Sequence, residues 1–324
     1  MLSRVADSLF WVGRYIERAE NVARFMDVNL QLVLDAIDDS EDPWRPLVDA
    51  TGDEKAFRSR YPQENRENVI QFLTFDETNP NSIVSCLKGA RENARAVREA
   101  ISQEMWEQLN RFYRIVGEAA AAQRALVAPH DFFLEIKTAS QIFIGATQGT
   151  MSRNEAWHFL RLGTMMERAD KTSRVLDMKS HLLAASSSRV DVHWSAVLHS
   201  VSGLEMYRKR WGLIQPQDVV RFLLLDHEFP RAVHFCLERA TESLHAITGT
   251  GPGMFKNIAE QRLGLLRSEL AYTRVEEVLE LGLHDYLDAL QTKLNRLGDA
   301  IYETFFHCPQ PEPVATDEGV LSGQ

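Results

Sequence analysis

The fold is decided by residues 2–33, LSRVADSLFWVGRYIERAENVARFMDVNLQLV, in which apolar side chains recur at alternating steps of three and four residues. This spacing places them along one face of an α-helix. A face of this length is typical of a long helix that packs inside a bundle rather than of a lone surface helix. We therefore predict one helix over residues 3–37, ended by the segment 38–43. The apolar face consists of Leu2, Val5, Leu9, Val12, Ile16, Ala19, Ala23, Met26, Leu30 and Val33.

The composition is typical of a soluble globular protein, with 44% hydrophobic and 25% charged residues. The net charge of −10 and the absence of a basic run disfavour nucleic acid and anionic membranes as partners. Three widely spaced cysteines predict neither a disulfide framework nor a metal knuckle. The N-terminal stretch is too charged for a signal peptide, and no apolar run could span a membrane. We expect a cytoplasmic protein.

An internal repeat organises the whole chain. The segment GRYIERAENVARFMDV from Gly13 matches GTMMERADKTSRVLDM from Gly163, and the same offset of 150 residues aligns Cys86 with Cys236 without a gap. After Glu242 the offset becomes 154. We predict an all-α helical bundle made of two tandem homologous helical repeats with long N-terminal helices. The first repeat covers residues 1–150, the second covers 151–308, and residues 309–324 form a tail that we expect to be disordered.

Each opening helix has a row of charged residues beside a glycine, about a quarter turn from its apolar face. We call these two rows the charged stripes. One interpretation is a structural network of ion pairs that clamps neighbouring helices, with the glycine allowing a close approach. The other is a binding or catalytic surface. The stripes consist of Gly13, Glu17, Glu20, Arg24 and Asp27 in the first repeat and of Gly163, Glu167, Asp170, Arg174 and Asp177 in the second.

Several neighbouring residues belong to the repeat but not to the stripes. Arg18 and Arg168 occupy equivalent positions, and we expect both side chains to point away from the stripes. Cys86 and Cys236 lie on apolar helix faces, so we predict buried thiols. Two further equivalent residues, each followed by Asp and an aromatic residue, are predicted to cap helices; these are His130 and His284.

Familiar catalytic and cofactor motifs are absent. The chain has no phosphate-binding loop, no glycine-rich dinucleotide loop and no nucleophile elbow, so we expect no cofactor and assign no catalytic residue. Glu155-x-x-His158 and Glu242-x-x-His245 have the spacing that dinuclear metal bundles use. Their equivalents in the first repeat do not keep this pattern, and we therefore expect no metal site.

Four segments together resemble the bacterial alpha-E domain proteins, a family of unknown function, over nearly the whole chain. They are MLSRVADSLFWVGRYIERAENVARFMDV, SIVSCLKGARENARAVREAISQEMWEQLN, LRLGTMMERADKTSRVLDM and FLLLDHEFPRAVHFCLE. The resemblance implies a genomic context: members are typically encoded beside an ATP-grasp ligase-like protein and a transglutaminase-like protein. It implies a role in a system that makes, attaches or trims a peptide, and it assigns no activity to the chain itself.

Three hypotheses follow for function. The first is a non-catalytic helical partner of the ligase-like and transglutaminase-like proteins that also binds a peptide ligand. The second is an enzyme of the same pathway, with Glu17 or Glu167 as acid or base and Arg24 or Arg174 orienting a carboxylate. The third is a dinuclear metal bundle. For the architecture, we expect the two opening helices to pack against each other in antiparallel orientation.

Overall fold

The computed structural model describes residues 1–35, 44–183 and 190–307, and all regular secondary structure in these ranges is helical. The all-α prediction is therefore confirmed. The first predicted helix runs over Ser3–Asp35, where the description stops. The segment 38–43, Cys308 and the predicted tail 309–324 lie outside the described residues.

Eight helices belong to residues 1–150 in the described part of the chain. They are α1 (Ser3–Asp35), α2 (Arg45–Thr51), α3 (Glu54–Arg58), α4 (Arg66–Ile70, continued by the π-helical turn Gln71–Phe75), α5 (Ile83–Ala96), α6 (Gln103–Ala121), α7 (Arg124–Val127) and α8 (Pro129–Thr150), with a 3-10 turn at Arg98–Ala100.

Eight more follow among the described residues of the second half. They are α9 (Glu155–Asp177), α10 (Val190–Ser200), α11 (Leu204–Trp211), α12 (Pro216–Leu225), α13 (Val233–Thr248), α14 (Ile258–Tyr272), α15 (Val275–Leu281) and α16 (Leu283–Ile301), with a 3-10 turn at Ser180–Leu182 and a π-helical turn at Tyr302–Phe306.

The helix starts keep the spacing seen in the sequence. Helices α3, α4 and α5 begin 150 residues before α11, α12 and α13, and α8 begins 154 residues before α16. This order agrees with two similar halves, although the duplication itself and its boundaries at residues 150 and 308 stay predictions. The two halves share one hydrophobic core.

Helices α1 and α9 pack against each other at the centre of the molecule and run parallel. Around this pair, α1 contacts α5, α8 and α10, and α9 contacts α13 and α16. The amino group of Met1 lies 2.9 Å from the Glu155 carboxylate. Both residues lie on the N-terminal side of the contact between Gly13 and Gly163. Antiparallel helices would separate these two groups by about 30 Å along the axis. The expected antiparallel packing is therefore wrong.

Glycine is required where the two central helices meet. A Cβ atom on Gly13 would lie 2.2 Å from the carbonyl oxygen of Leu160, and one on Gly163 would lie 2.0 Å from the carbonyl oxygen of Phe10. Both distances are far below van der Waals contact. Backbone meets backbone here, so no side chain could move aside to relieve the clash.

The two equivalent cysteines are fully buried, which confirms the sequence prediction. Cys86 and Cys236 are free thiols in the core. Burial raises the pKa of each thiol to about 12. Both cysteines therefore act as small apolar side chains rather than as nucleophiles.

We expect Gly13→Ala and Gly163→Ala each to lower the free energy of unfolding by about 1–3 kcal/mol or more, because the new methyl group meets backbone. Gly145→Ala is the matched control: this glycine lies inside α8, and a Cβ there meets no atom within 4 Å. The control should be neutral or stabilising by up to about 1 kcal/mol. Urea unfolding followed by circular dichroism measures all three, and equal stability of the three variants would contradict the close contact.

Candidate functional site

Two crossed ion pairs join the central helices just beyond the glycine contact. Arg168 of α9 donates from Nε to Oε1 of Glu17 at 3.0 Å and from an Nη to Oε2 at 2.7 Å. Reciprocally, Arg18 of α1 donates to the two carboxylate oxygens of Glu167 at 2.7 and 2.9 Å. Each pair is bidentate, which is the strongest geometry for arginine and carboxylate. Both carboxylates are inaccessible to solvent.

The carboxylate of Glu17 belongs to a larger cluster on one side of the pair, which we call the first cluster. Arg231, in the turn before α13, donates to Glu17 at 2.7 Å and to Glu20 at 2.6 Å. Glu20 also accepts from Arg24 on its own helix at 2.6 Å and from the hydroxyl of Ser140 on α8 at 2.6 Å. Every carboxylate oxygen in the first cluster therefore has a donor.

The second cluster surrounds Glu167 and uses different cations. Arg14 donates to Glu167 at 2.8 Å, and the ammonium of Lys171 lies 3.7 Å from Glu167 and 3.1 Å from Asp170. Asp170 also accepts from Arg174 at 3.0 Å. The buried acids of both clusters are thus neutralised by buried or half-buried cations.

The two clusters each carry one positively charged residue at a position that is an asparagine in the other cluster. Asn21 on α1 corresponds to Lys171 on α9, and Asn81 in the turn before α5 corresponds to Arg231. The first cluster takes its extra charge from the turn, through Arg231, whereas the second takes it from the helix, through Lys171. Asn81 then binds Arg18 at 2.6 Å as an uncharged acceptor. The exchange places one extra cation in each cluster.

The arginines keep these acids ionised. Burial by itself raises the pKa of Glu17, but Arg168 and Arg231 outweigh it and hold the pKa at about 2. Burial likewise opposes ionisation of Glu167, yet Arg18, Arg14 and Lys171 hold its pKa well below the ordinary value. Both groups are therefore ionised near neutral pH, whereas a general acid or base has a pKa close to the working pH.

The last residues of the stripes bind histidines. Asp27 accepts from His130 at 2.7 Å and from Lys137 at 2.6 Å, both on α8. Asp177 pairs with His284 at 2.7 Å, and this hydrogen bond raises the pKa of His284. Both histidines were expected to cap helices. They instead lie in the first turns of α8 and α16, with their rings directed at a carboxylate of another helix.

The structure therefore places the charged stripes inside the molecule. Arg24 and all the carboxylates of the stripes except that of Asp177 are buried, while Arg174 and Asp177 are partly accessible. Arg18 and Arg168 were expected to point away from the stripe of their own helix, and the structure pairs each of them with the acid of the opposite helix. Sequence reasoning also missed Arg14, Arg231 and Asn81. The only sign in the sequence of these ion pairs was that Arg18 and Arg168 occupy equivalent positions in the repeat.

The two Glu-x-x-His motifs serve other contacts. Glu155 binds the amino group of Met1, and Glu242 binds Arg161 at 2.9 Å. Within the described ranges, these motifs do not bring three metal-ligating side chains together.

An open cavity of about 490 Å³ lies between α11, α12 and the α14–α15 junction. Its lining combines Trp211 with three arginines, and their charges are partly balanced by Asp226 and Glu276. Arg221 contacts Asp218 and Glu276 at 2.8 and 3.1 Å. The arginines are Arg210, Arg221 and Arg274. We call this the arginine cavity, and no residue of the charged stripes lines it.

Comparison with known proteins now identifies the family. The Alpha-E family, described as a predicted alpha-helical domain with a conserved ER motif, matches residues 1–306. The chain belongs to the Alpha-E family. The dipeptides Glu17-Arg18 and Glu167-Arg168 fit that description, and in this Alpha-E chain they form the crossed ion pairs.

The relatives of the Alpha-E chain are larger proteins. Uncharacterized proteins of Mycobacterium bovis and Mycobacterium tuberculosis are each 23% identical to it over 332 residues, which cover 94% of this chain and 37% of the relative. The chain thus spans little more than a third of their length. No solved structure matches it. Across residues 1–35, 44–183 and 190–307, no helix has both the length and the hydrophobicity that a membrane crossing requires.

Removing one acid from the crossed pairs should be severely destabilising. We expect Glu167→Gln to lower the free energy of unfolding by about 3–5 kcal/mol, because buried cations lose their counter-charge. Glu77→Gln is the control, since Glu77 forms an exposed ion pair with Lys88 at 2.9 Å and should change stability by less than about 1 kcal/mol. Chemical unfolding of both variants tests this, and similar small losses would show that the crossed pairs do not hold the helices together.

The contribution of Glu17 should disappear in acid. Its pKa is lowered from 4.5 in the unfolded chain to about 2 in the folded protein, so its ionised form stabilises the folded state. This stability is present above pH 4.5 and is lost as the pH falls towards 2. The difference in melting temperature between the wild type and Glu17→Gln should therefore narrow over this interval. A difference that stays constant from neutral pH down to pH 2 would contradict the lowered pKa.

Proposed function

We propose that this chain is a non-catalytic helical partner in a peptide ligation or modification system, acting with ATP-grasp ligase-like and transglutaminase-like proteins. The single observation that supports it most is the saturation of the charged stripes. Glu17 and Glu167 are buried, doubly bonded to arginine and fixed in the ionised state, so the most probable acid–base residues of the sequence serve the frame of the molecule.

The size of the relatives supports a partner role. In the mycobacterial relatives the region similar to this chain makes up 37% of the polypeptide. A unit of this kind therefore occurs joined to further chain, as expected for a domain that works with another one. The identity of the two protein partners comes from the family resemblance, and the cytoplasmic location is part of the same proposal.

The arginine cavity is the surface that we propose for the peptide. Its volume suits a small ligand or a short stretch of chain. Arginine side chains bind the carboxylates of a peptide in a fixed planar geometry, and Trp211 offers an apolar face beside them. Arg274 is the most accessible of the three arginines, and it pairs only weakly with Glu277 at 3.2 Å on its own helix.

Co-expression of the untagged chain with a tagged ATP-grasp ligase-like protein of the proposed system tests the proposal. We expect a complex that survives size-exclusion chromatography. Arg274→Glu should weaken capture of a peptide substrate by about tenfold or more, because one charged contact is replaced by repulsion. Arg95→Glu is the control, since Arg95 is equally exposed and pairs with Glu92 on α5, away from the cavity.

Two results would overturn the proposal. One is the absence of any complex with either the ligase-like or the transglutaminase-like protein. The other is loss of pathway turnover in Glu17→Gln or Glu167→Gln while folding and complex formation stay intact, which would make the chain an enzyme.

A further inference from the structure

A cluster of two histidines and one glutamate lies at the edge of the arginine cavity. His227 is the second residue after α12, and His234 and Glu238 lie one turn apart on α13. One ligand atom from each residue lies within 4.8 Å of the other two. Oε1 of Glu238 is 3.5 Å from Nδ1 of His227 and 3.9 Å from Nε2 of His234. In the described part of the chain, no other group of three or more such side chains converges in this way.

We propose that these three residues bind a divalent transition-metal ion, with zinc as the best match. Two imidazole nitrogens and one carboxylate oxygen form a common zinc ligand set that leaves a fourth position open. Tetrahedral zinc sets its ligand atoms about 3.3 Å apart, so the observed separations need only small side-chain rotations to close.

The orientation of His234 supports the proposal independently. Its side chain is 98% buried, with only 2% of its surface accessible to solvent. Nδ1 lies 3.4 Å from the backbone carbonyl oxygen of Leu225, to which its N–H donates. Nε2 is then the nitrogen that remains for a metal, and it lies 3.9 Å from Oε1 of Glu238. A backbone carbonyl in this position is the usual outer partner of a zinc-bound histidine.

The loop that holds His227 is fixed before any metal binds. The carboxylate of Asp226 accepts the backbone N–H groups of Glu228 and Phe229 at 2.8 and 2.7 Å. These bonds shape the turn on either side of His227. A ligand set placed partly on a helix and partly on a hydrogen-bonded turn is largely preorganised.

The first half of the chain shows what these positions do without a metal. His227 corresponds to Glu77 and Glu238 to Lys88, and those two residues form a direct ion pair at 2.9 Å. The two positions therefore face each other in both halves. In the first half a lysine faces the acid at these positions, whereas in the second half two histidines and a carboxylate converge there.

Isothermal titration of ZnCl2 into the untagged, chelator-treated full-length chain tests the site. We expect one zinc ion per chain and a higher melting temperature with zinc, because the ion binds only the folded state. Co²⁺ in place of Zn²⁺ should give the visible absorption of a tetrahedral nitrogen–oxygen site.

His227→Ala is the decisive variant, because this side chain is mostly exposed and its loss should not unfold the protein. We expect its zinc affinity to fall by more than about tenfold and its zinc-dependent rise in melting temperature to disappear. Glu238→Gln should weaken binding in the same direction. His245→Ala, on the same helix but outside the cluster, should bind zinc like the wild type. The proposal is overturned if the wild type binds no stoichiometric zinc or if His227→Ala binds it equally well. Because no peptide or partner protein is present, this result is separate from that of the partner test.

Discussion

The contact between α1 and α9 is the constraint on which the rest of the structure depends. Two backbones approach so closely at Gly13 and Gly163 that a single methyl group would not fit. Directly beside that contact, two carboxylates are sealed from water and pair with two arginines that are only slightly exposed. A buried charge without a partner is very unfavourable, so Glu17, Arg18 and their equivalents on α9 can only be accommodated in one register. A slip of one turn would leave them unpaired.

Crossing of the pairs follows from helix geometry. Consecutive residues on a helix point about 100° apart, so Glu17 and Arg18 cannot pair with each other. Two parallel helices with the same Glu-Arg dipeptide at the same level can satisfy both charges by exchanging partners. This arrangement gives a physical reason for a Glu-Arg motif in the family. The dipeptide is useful because there are two copies of it in one core.

Around this symmetrical centre the two halves differ. One cluster draws its extra cation from a turn, through Arg231, and the other draws it from the helix, through Lys171. The differences grow towards the surface, where an ordinary ion pair between Glu77 and Lys88 stands at the positions that hold His227 and Glu238 in the second half. The arginine cavity lies beside that histidine cluster. The crossed ion pairs of α1 and α9 thus form the frame of the molecule. The histidine cluster and the arginine cavity lie on the outer helices of the second half.

The sequence alone determined everything that depends on local periodicity. The three–four spacing from Leu2 to Val33 was sufficient for α1, and the apolar positions of Cys86 and Cys236 were sufficient to predict their burial. Helical spacing also fixes which side chains between Gly13 and Asp27 share a face of α1. What lies opposite such a face is not a local property.

Only the tertiary structure decided the partners. Arg18 and Arg168 bind acids of the opposite helix, and Asp27 binds His130. These contacts, like the parallel orientation of α1 and α9, depend on residues more than 100 positions apart. The sequence left open whether the charged face clamps neighbouring helices or forms a surface, and in the structure that face is interior because α1 contacts α5, α8, α9 and α10. The His227 cluster escaped notice for a similar reason, because a turn brings its first member onto α13. Long-range packing therefore decides which charged side chains pair with each other in the core, and the local pattern of helices does not.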